Sequence, residues 1–232
     1  MLHTMTTPHP HQRPLTIVTG ASRGVGHALA SMLLQRGEHV LTLQRTPDPR
    51  LNTGTGLLEQ WACDLADPLP VAQRLEHWLA ALDRGSLRSV TLINNAALLP
   101  PPAPLDQTDS HALAQALRVS LEAPLLLCSA FLRATDGWPA PRRVMNISSG
   151  LGRRAMASSS VYCAAKAGLD HLSRVIALEE AEKPSGARCV RGRGLVDQDV
   201  AAAVADDDLA GDLRRVEHVL VDVRVRDVQH VP

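Results

Sequence analysis

An apolar run, "LTIVTG" (Leu15–Gly20), passes directly into the glycine-rich stretch "TGASRGVG" (Thr19–Gly26) and then into "HALASMLLQRG", whose leucines at 29, 33 and 34 have helical spacing. Few folds accommodate a buried strand, a glycine turn and a helix in immediate succession. Glycines at 20, 24 and 26 allow a tight turn, close approach of backbone to a pyrophosphate, and close packing of helix on strand. The helix start then offers backbone N–H groups to a phosphate. Ser22, Arg23 and Val25 lie within the turn and join Gly20, Gly24 and Gly26 as candidate cofactor-binding residues. A glycine-rich loop with no ligand is the bland alternative; strand before and helix after favour the dinucleotide.

The rest of the chain continues the alternation. "HVLTLQR", "LLEQWACDL", "SVTLINNAA" and "RRVMNISS" read as further strands. Between them, "VAQRLEHWLAAL" is amphipathic, with Leu75, Trp78, Leu79 and Leu82 on one side. "HALAQALRVSLEAPLLLCSAFLRA" is a long helix containing Pro124, and "VYCAAKAGLDHLSRVIALEEAE" is another. Strands alternating with helices at this spacing imply an α/β fold, a doubly wound parallel sheet of Rossmann type in a single domain. Its ligand belongs at the carboxyl ends of the strands. The expected limits are a Pro/Thr-rich disordered leader over 1–14, a binding and catalytic domain over 15–186, and an atypical C-terminal segment over 187–232.

Composition excludes several classes. The 24 basic and 24 acidic residues balance to zero and leave no basic stripe, while an aromatic content of 2% leaves little to stack on bases, so no nucleic-acid partner is expected. Apolar runs such as "APLLLCSAFL" look too short to cross a bilayer, so no membrane partner is expected either. The four cysteines lack CxxC spacing and read as reduced thiols of a cytoplasmic protein. Ten histidines form no HxxxH or HExxH pair, so no metal site is expected.

Charge at the end of the second strand bears on which dinucleotide. An NAD site uses an acid there to accept from the ribose 2′-hydroxyl, but this chain has Gln44-Arg45. Arg45 and Arg23 at these two places favour a 2′-phosphate, hence NADP(H). Asp64, in "ACDLADP", stands where the third strand ends and could accept from the adenine amino group; its other reading, shared with Asp67, is a helix N-cap.

The only tyrosine, Tyr162, precedes Lys166 by four residues, which places both on one helix face. A free phenol titrates near 10, and an adjacent ammonium should bring it down toward neutral pH. Ser149, at the end of the fifth strand, could hold a substrate carbonyl and stabilise the developing alkoxide. Taken alone, a YxxxK match is usually a surface tyrosine on an alanine-rich helix.

Together, "TGASRGVG", the aspartate of "CDLAD", "NNAA", "ISS" and "YCAAK" resemble the short-chain dehydrogenase/reductase family in order and spacing, over Leu15 to Glu182. The resemblance implies Tyr162 as proton donor or acceptor, Lys166 as the group that lowers its pKa and grips the nicotinamide ribose, and Ser149 as the residue that orients the carbonyl. It adds Asn94 and Ala96 of "NNAA" to the cofactor-binding residues, with Ala97 in place of the family's glycine. "LEAPLLLCSAFLRA" is similar to the sepiapterin and benzil reductase branch. Family members pair their long helices into homodimers or homotetramers, for which Leu125, Leu126, Phe131, Leu169 and Leu172 would supply apolar surface, although core burial explains some of them equally well.

Two departures follow. Ser120 stands where the family has an asparagine that anchors a water in the proton relay. "GRGLVDQDV" (192–200) replaces a loop resembling "APGxVxT", keeping only Gly194 and Val196 and putting Arg193 for proline and Gln198 for threonine. After Ser185 there is no Ser, Thr, Lys or Met, "HVLVDVRVRDV" alternates like an exposed strand, and "AAAVADDDLAGDLRRVEHVL" is weakly helical. A frame change in GC-rich coding sequence would leave such a tail. The function expected is hydride transfer between NADP(H) and a small carbonyl or alcohol, with Tyr162 as general acid/base. The alternative is a catalytically silent NADP-binding protein with a sensing or partner-binding role.

Overall fold

The computed structural model describes residues 12–51, 56–183 and 188–192. The strands are β1 (Arg13–Thr19), β2 (His39–Gln44), β3 (Leu57–Ala62), β4 (Leu87–Asn94), β5 (Arg142–Ile147) and β6 (Arg188–Gly192). They form one parallel sheet in the order β3-β2-β1-β4-β5-β6. The helices are α1 (Gly24–Gln35), α2 (Pro68–Ala80), α3 (Ser110–Leu117), α4 (Ala123–Ala134) and α5 (Ser160–Ala181). This is the doubly wound α/β fold expected.

Successive strand residues feed opposite layers, which explains why the strands read as continuous apolar runs. Leu15, Ile17, Leu41, Leu43, Leu92 and Val144 join Leu75, Leu79, Leu127, Phe131 and Ile176 in one cluster, beneath α2, α4 and α5. Val18, Val40, Ile93 and Met145 join Leu29, Leu33 and Leu34 of α1 in the other.

The first strand begins at Arg13, two residues before the expected limit, and Gln12 Nε2 beside it donates to the Gly85 carbonyl at 2.7 Å. Residues 1–11 of the leader lie outside the described residues, as do 193–232 with the tail helix and strand read from sequence.

The long helix is not uniform. Between α3 and α4 it widens into a π turn at Arg118–Glu122, and Pro124 follows at the start of α4. Proline has no N–H to offer the carbonyl four residues back, that of Ser120, and the widened turn absorbs the mismatch. Contrary to the short runs read from sequence, the continuous 25-residue helix Ser110–Ala134 is long and apolar enough to cross a membrane. It lies against α2 and α5, as a core helix does.

The apolar surface expected on the long helices is also redistributed. Phe131 and Leu169 are core residues, whereas Leu117, Leu125, Val175 and Leu178 are exposed.

Candidate active site

Strand order reverses direction at β1, where β2 lies on one side and β4 on the other; a doubly wound sheet opens its ligand crevice there. The turn between β1 and α1 is fixed from the β4 side. Asn95 Nδ2 donates to the carbonyls of Thr19 at 3.0 Å and Gly20 at 3.1 Å. In return the buried Thr19 Oγ1 accepts the backbone N–H groups of Asn95 and Ala96, both at 3.0 Å. A Cβ on Gly26 would strike the Gly20 carbonyl and the Asn95 amide, so no larger residue leaves this turn intact. Arg23 stands at the N-cap of α1 with no side chain capping the first turn, and this 12-residue helix points its opening N–H groups at the crevice. The donor set and the glycine cradle fit a dinucleotide pyrophosphate.

The other candidate cofactor residues take varied positions. Ser22 and Val25 are half-buried in the turn, Gly24 opens α1, and Arg23 and Arg45 are exposed. Ala96 packs directly against Gly20. Asp64 is exposed, with one carboxylate oxygen accepting the Ala66 N–H at 2.9 Å; Asp67 occupies the N-cap of α2 but makes no side-chain cap. The Asn94 side chain points into the interior instead. Its amide donates to Asn146 Oδ1 at 2.8 Å and Cys128 Sγ at 3.3 Å, and Asn146 donates onward to Ser173 at 2.9 Å. Asn94 braces the sheet, and the contact with the glycine turn belongs to its neighbour Asn95.

Ser149, Tyr162 and Lys166 converge. Ser149 follows β5, and its buried hydroxyl accepts the Leu151 N–H at 3.2 Å and hydrogen-bonds the Tyr162 phenol. Lys166, one helical turn beyond Tyr162, is buried and donates to the Ile147 carbonyl at 2.6 Å. Its Nζ lies 5.6 Å from the Tyr162 ring centre. Burial pushes the phenol above its ordinary value, and the Ser149 hydrogen bond opposes this. Burial thus outweighs the influences that lower the phenol. Burial likewise pushes Lys166 down to about 8, with Asp170 one turn further on opposing it. Ser149 and Tyr162 line a cleft of about 480 Å³ with apolar walls from Leu99, Pro100, Leu151 and Met156.

Three residues that shape this region were not singled out from sequence. Asn95, inside the "NNAA" motif, is one. Gly152, in the short turn after β5, is a second: a Cβ there would come within 2.9 Å of the Lys166 backbone, so its absence sets how closely α5 approaches this turn. Asp48, buried just past β2, is the third, and no periodic signal marked it. Ser120, at the family's asparagine position, is buried. Its hydroxyl accepts the Leu98 N–H at 3.0 Å and reaches the Leu98 carbonyl at 3.4 Å, tying the π turn to the cleft wall. Among the described residues no cluster of His, Cys, Asp or Glu could hold a metal.

Known proteins with similar sequences and structures share this architecture. A family profile described as short chain dehydrogenase matches residues 14–197. A benzil reductase ((S)-benzoin forming) of Bacillus cereus is 30% identical over 198 residues, covering 82% of this chain and 78% of that protein. A short-chain dehydrogenase/reductase from Burkholderia vietnamiensis superposes with a TM-score of 0.69 at 32% identity, covering 96% of this chain and 100% of that one. A metagenomic short-chain oxidoreductase solved in complex with NADP has a TM-score of 0.69 at 29% identity, covering 84% of this chain and 90% of that one.

Proposed function

The chain belongs to the short-chain dehydrogenase/reductase family, in its benzil reductase-like branch, and from that premise we propose that it is an NADP(H)-dependent carbonyl reductase. One observation carries the reading: a phenol hydrogen-bonded to a buried serine, with a buried lysine one turn behind, borders an apolar cleft at the strand tips.

When bound, the nicotinamide supplies the hydride. Each remaining step falls to a residue of this chain. Gly20, Gly24 and Gly26, with the first N–H groups of α1, hold the pyrophosphate. Arg23 and Arg45 attract the 2′-phosphate, and Lys166 holds ribose hydroxyls. Ser149 Oγ donates to the substrate carbonyl oxygen, fixing it beside the phenol and stabilising charge as it develops. Tyr162 Oη then gives its proton to that oxygen. A phenol held above its ordinary value is protonated at neutral pH, the state a reductase needs. Apolar walls and the relative's benzil reductase name favour an apolar, aromatic 1,2-diketone as substrate. The reading includes a cytoplasmic homodimer or homotetramer built on the exposed leucines of the long helices.

The second reading, a silent NADP-binding protein, draws support from Ser120, whose hydroxyl is committed to Leu98. NADPH oxidation assayed against aldehydes, ketones and 1,2-diketones, alongside a direct NADPH titration, separates the two. Binding without turnover on any substrate would overturn the reductase reading.

A further inference from the structure

Just past the tip of β2, the side chains of Asp48, Arg50 and His27 meet beside the glycine turn. The buried Asp48 carboxylate accepts Arg50 Nε at 2.9 Å, Arg50 Nη2 at 2.8 Å and the Arg50 backbone N–H at 3.0 Å, and lies 3.0 Å from His27 Nδ1 on α1. The same Nη2 donates to the Ser22 carbonyl at 3.0 Å. One guanidinium therefore spans from the segment after β2 to the middle of the glycine turn. In a strand–glycine turn–helix unit, the adenosine ribose lies between those two places.

We infer that Arg50 is a cofactor-specificity residue, a fixed cation at the ribose 2′-phosphate, and that Asp48 is its positioning residue. This rests on the NADPH reading above.

The surroundings fit the role. An acid after the second strand is what an NAD site offers to the 2′-hydroxyl, but Asp48 is already committed to Arg50 and His27. The Arg50 guanidinium holds its carboxyl down to about 2. The Asp48 backbone is pinned as well: its N–H donates to Gln60 Oε1 at 2.8 Å and its carbonyl accepts Gln60 Nε2 at 3.1 Å. Gln44, at the end of β2, donates to the same Gln60 oxygen at 2.7 Å. Arg50, though exposed, is thus held at both its backbone and its head, so binding a phosphate sacrifices less side-chain freedom there than at an arginine without such ties. Arg23, Arg45 and Arg50 together outweigh the single buried carboxylate, so the local field stays positive toward a dianion.

The test is titration of 2′,5′-ADP and of 5′-AMP into parent, Arg50→Ala, Arg50→Lys and Asp48→Asn proteins, with thermal melts to confirm folding. In the parent, 2′,5′-ADP should bind tighter. Arg50→Ala should lose about 10-fold or more of affinity for 2′,5′-ADP, the scale of a charge-assisted hydrogen bond, with 5′-AMP unchanged. Arg50→Lys should recover part of it, and Asp48→Asn should fall between parent and alanine. A parent with no preference between the ligands would overturn the NADPH reading itself. A parent that prefers 2′,5′-ADP while Arg50→Ala keeps that preference, or loses both ligands equally, would overturn this inference alone.

Discussion

Lys166 donates to the Ile147 carbonyl oxygen at 2.6 Å while its ammonium lies over the Tyr162 ring, 5.6 Å from the ring centre. The lysine is thereby anchored to the end of β5. Burial pushes its titration from 10.5 down to about 8.

Two pH effects follow from that shift. Between pH 8 and 10.5 the unfolded chain keeps a proton that the folded one has released, so the lysine's share of fold stability rises with pH across this window. Denaturant melts of parent and Lys166→Met should diverge there, with only the parent gaining. NADPH affinity should move oppositely, weakening as pH rises through about 8 and the ammonium loses its charge. Lys166→Met should bind NADPH more weakly throughout and show no such inflection.

Tyr162→Phe keeps the ring and its packing but removes the phenol. Reductase turnover should fall by a factor of about 10²–10⁴, with NADPH affinity nearly unchanged. Because burial raises the phenol, parent reduction should run well at neutral pH, while alcohol oxidation should quicken as pH rises. Equal turnover in Tyr162→Phe and parent would end the acid/base assignment.

Much of this was legible because it is local. Strands buried on both faces had to be continuous apolar runs, and the glycine turn and the Tyr162–Lys166 spacing each lie within a few residues. What sequence concealed is pairing across distance. Ser22 meets Arg50, Ser120 meets Leu98, and Asn95 meets Thr19 only once strand order is fixed. Asp48 follows β2 in a loop without periodicity, so a buried acid just past that strand went unread. One-turn spacing likewise placed Lys166 near Tyr162 but said nothing of its bond to Ile147 or of the burial that raises the phenol.

Gly152 makes a separate prediction. Its missing Cβ leaves room for the Lys166 backbone, which such an atom would meet at 2.9 Å. Gly152→Ala must move α5 or the turn that carries Ser149. Overpacking of this kind costs roughly 1–3 kcal/mol, which should lower the melting temperature by several degrees. Turnover should drop more than NADPH binding, since the shift separates Ser149 from Tyr162 while sparing the glycine turn. A full-activity Gly152→Ala enzyme would show that the approach of α5 is not critical.

Ser120 is buried with its hydroxyl on Leu98, and its substitution separates two mechanisms. Its hydroxyl bonds both backbone polar groups of Leu98, next to the Leu99–Pro100 wall of the cleft. As a clamp, it acts on how the wall meets substrate. Ser120→Ala should then raise KM several-fold while leaving kcat within a few-fold, and should cost about 0.5–1.5 kcal/mol of stability, the net worth of one such bond. If the hydroxyl instead passed protons toward Lys166, Ser120→Ala would lower kcat, leave KM nearly constant and shift the pH profile of turnover. Steady-state kinetics of the variant across pH 6 to 9 distinguishes the outcomes, and a kcat collapse at constant KM would refute the clamp.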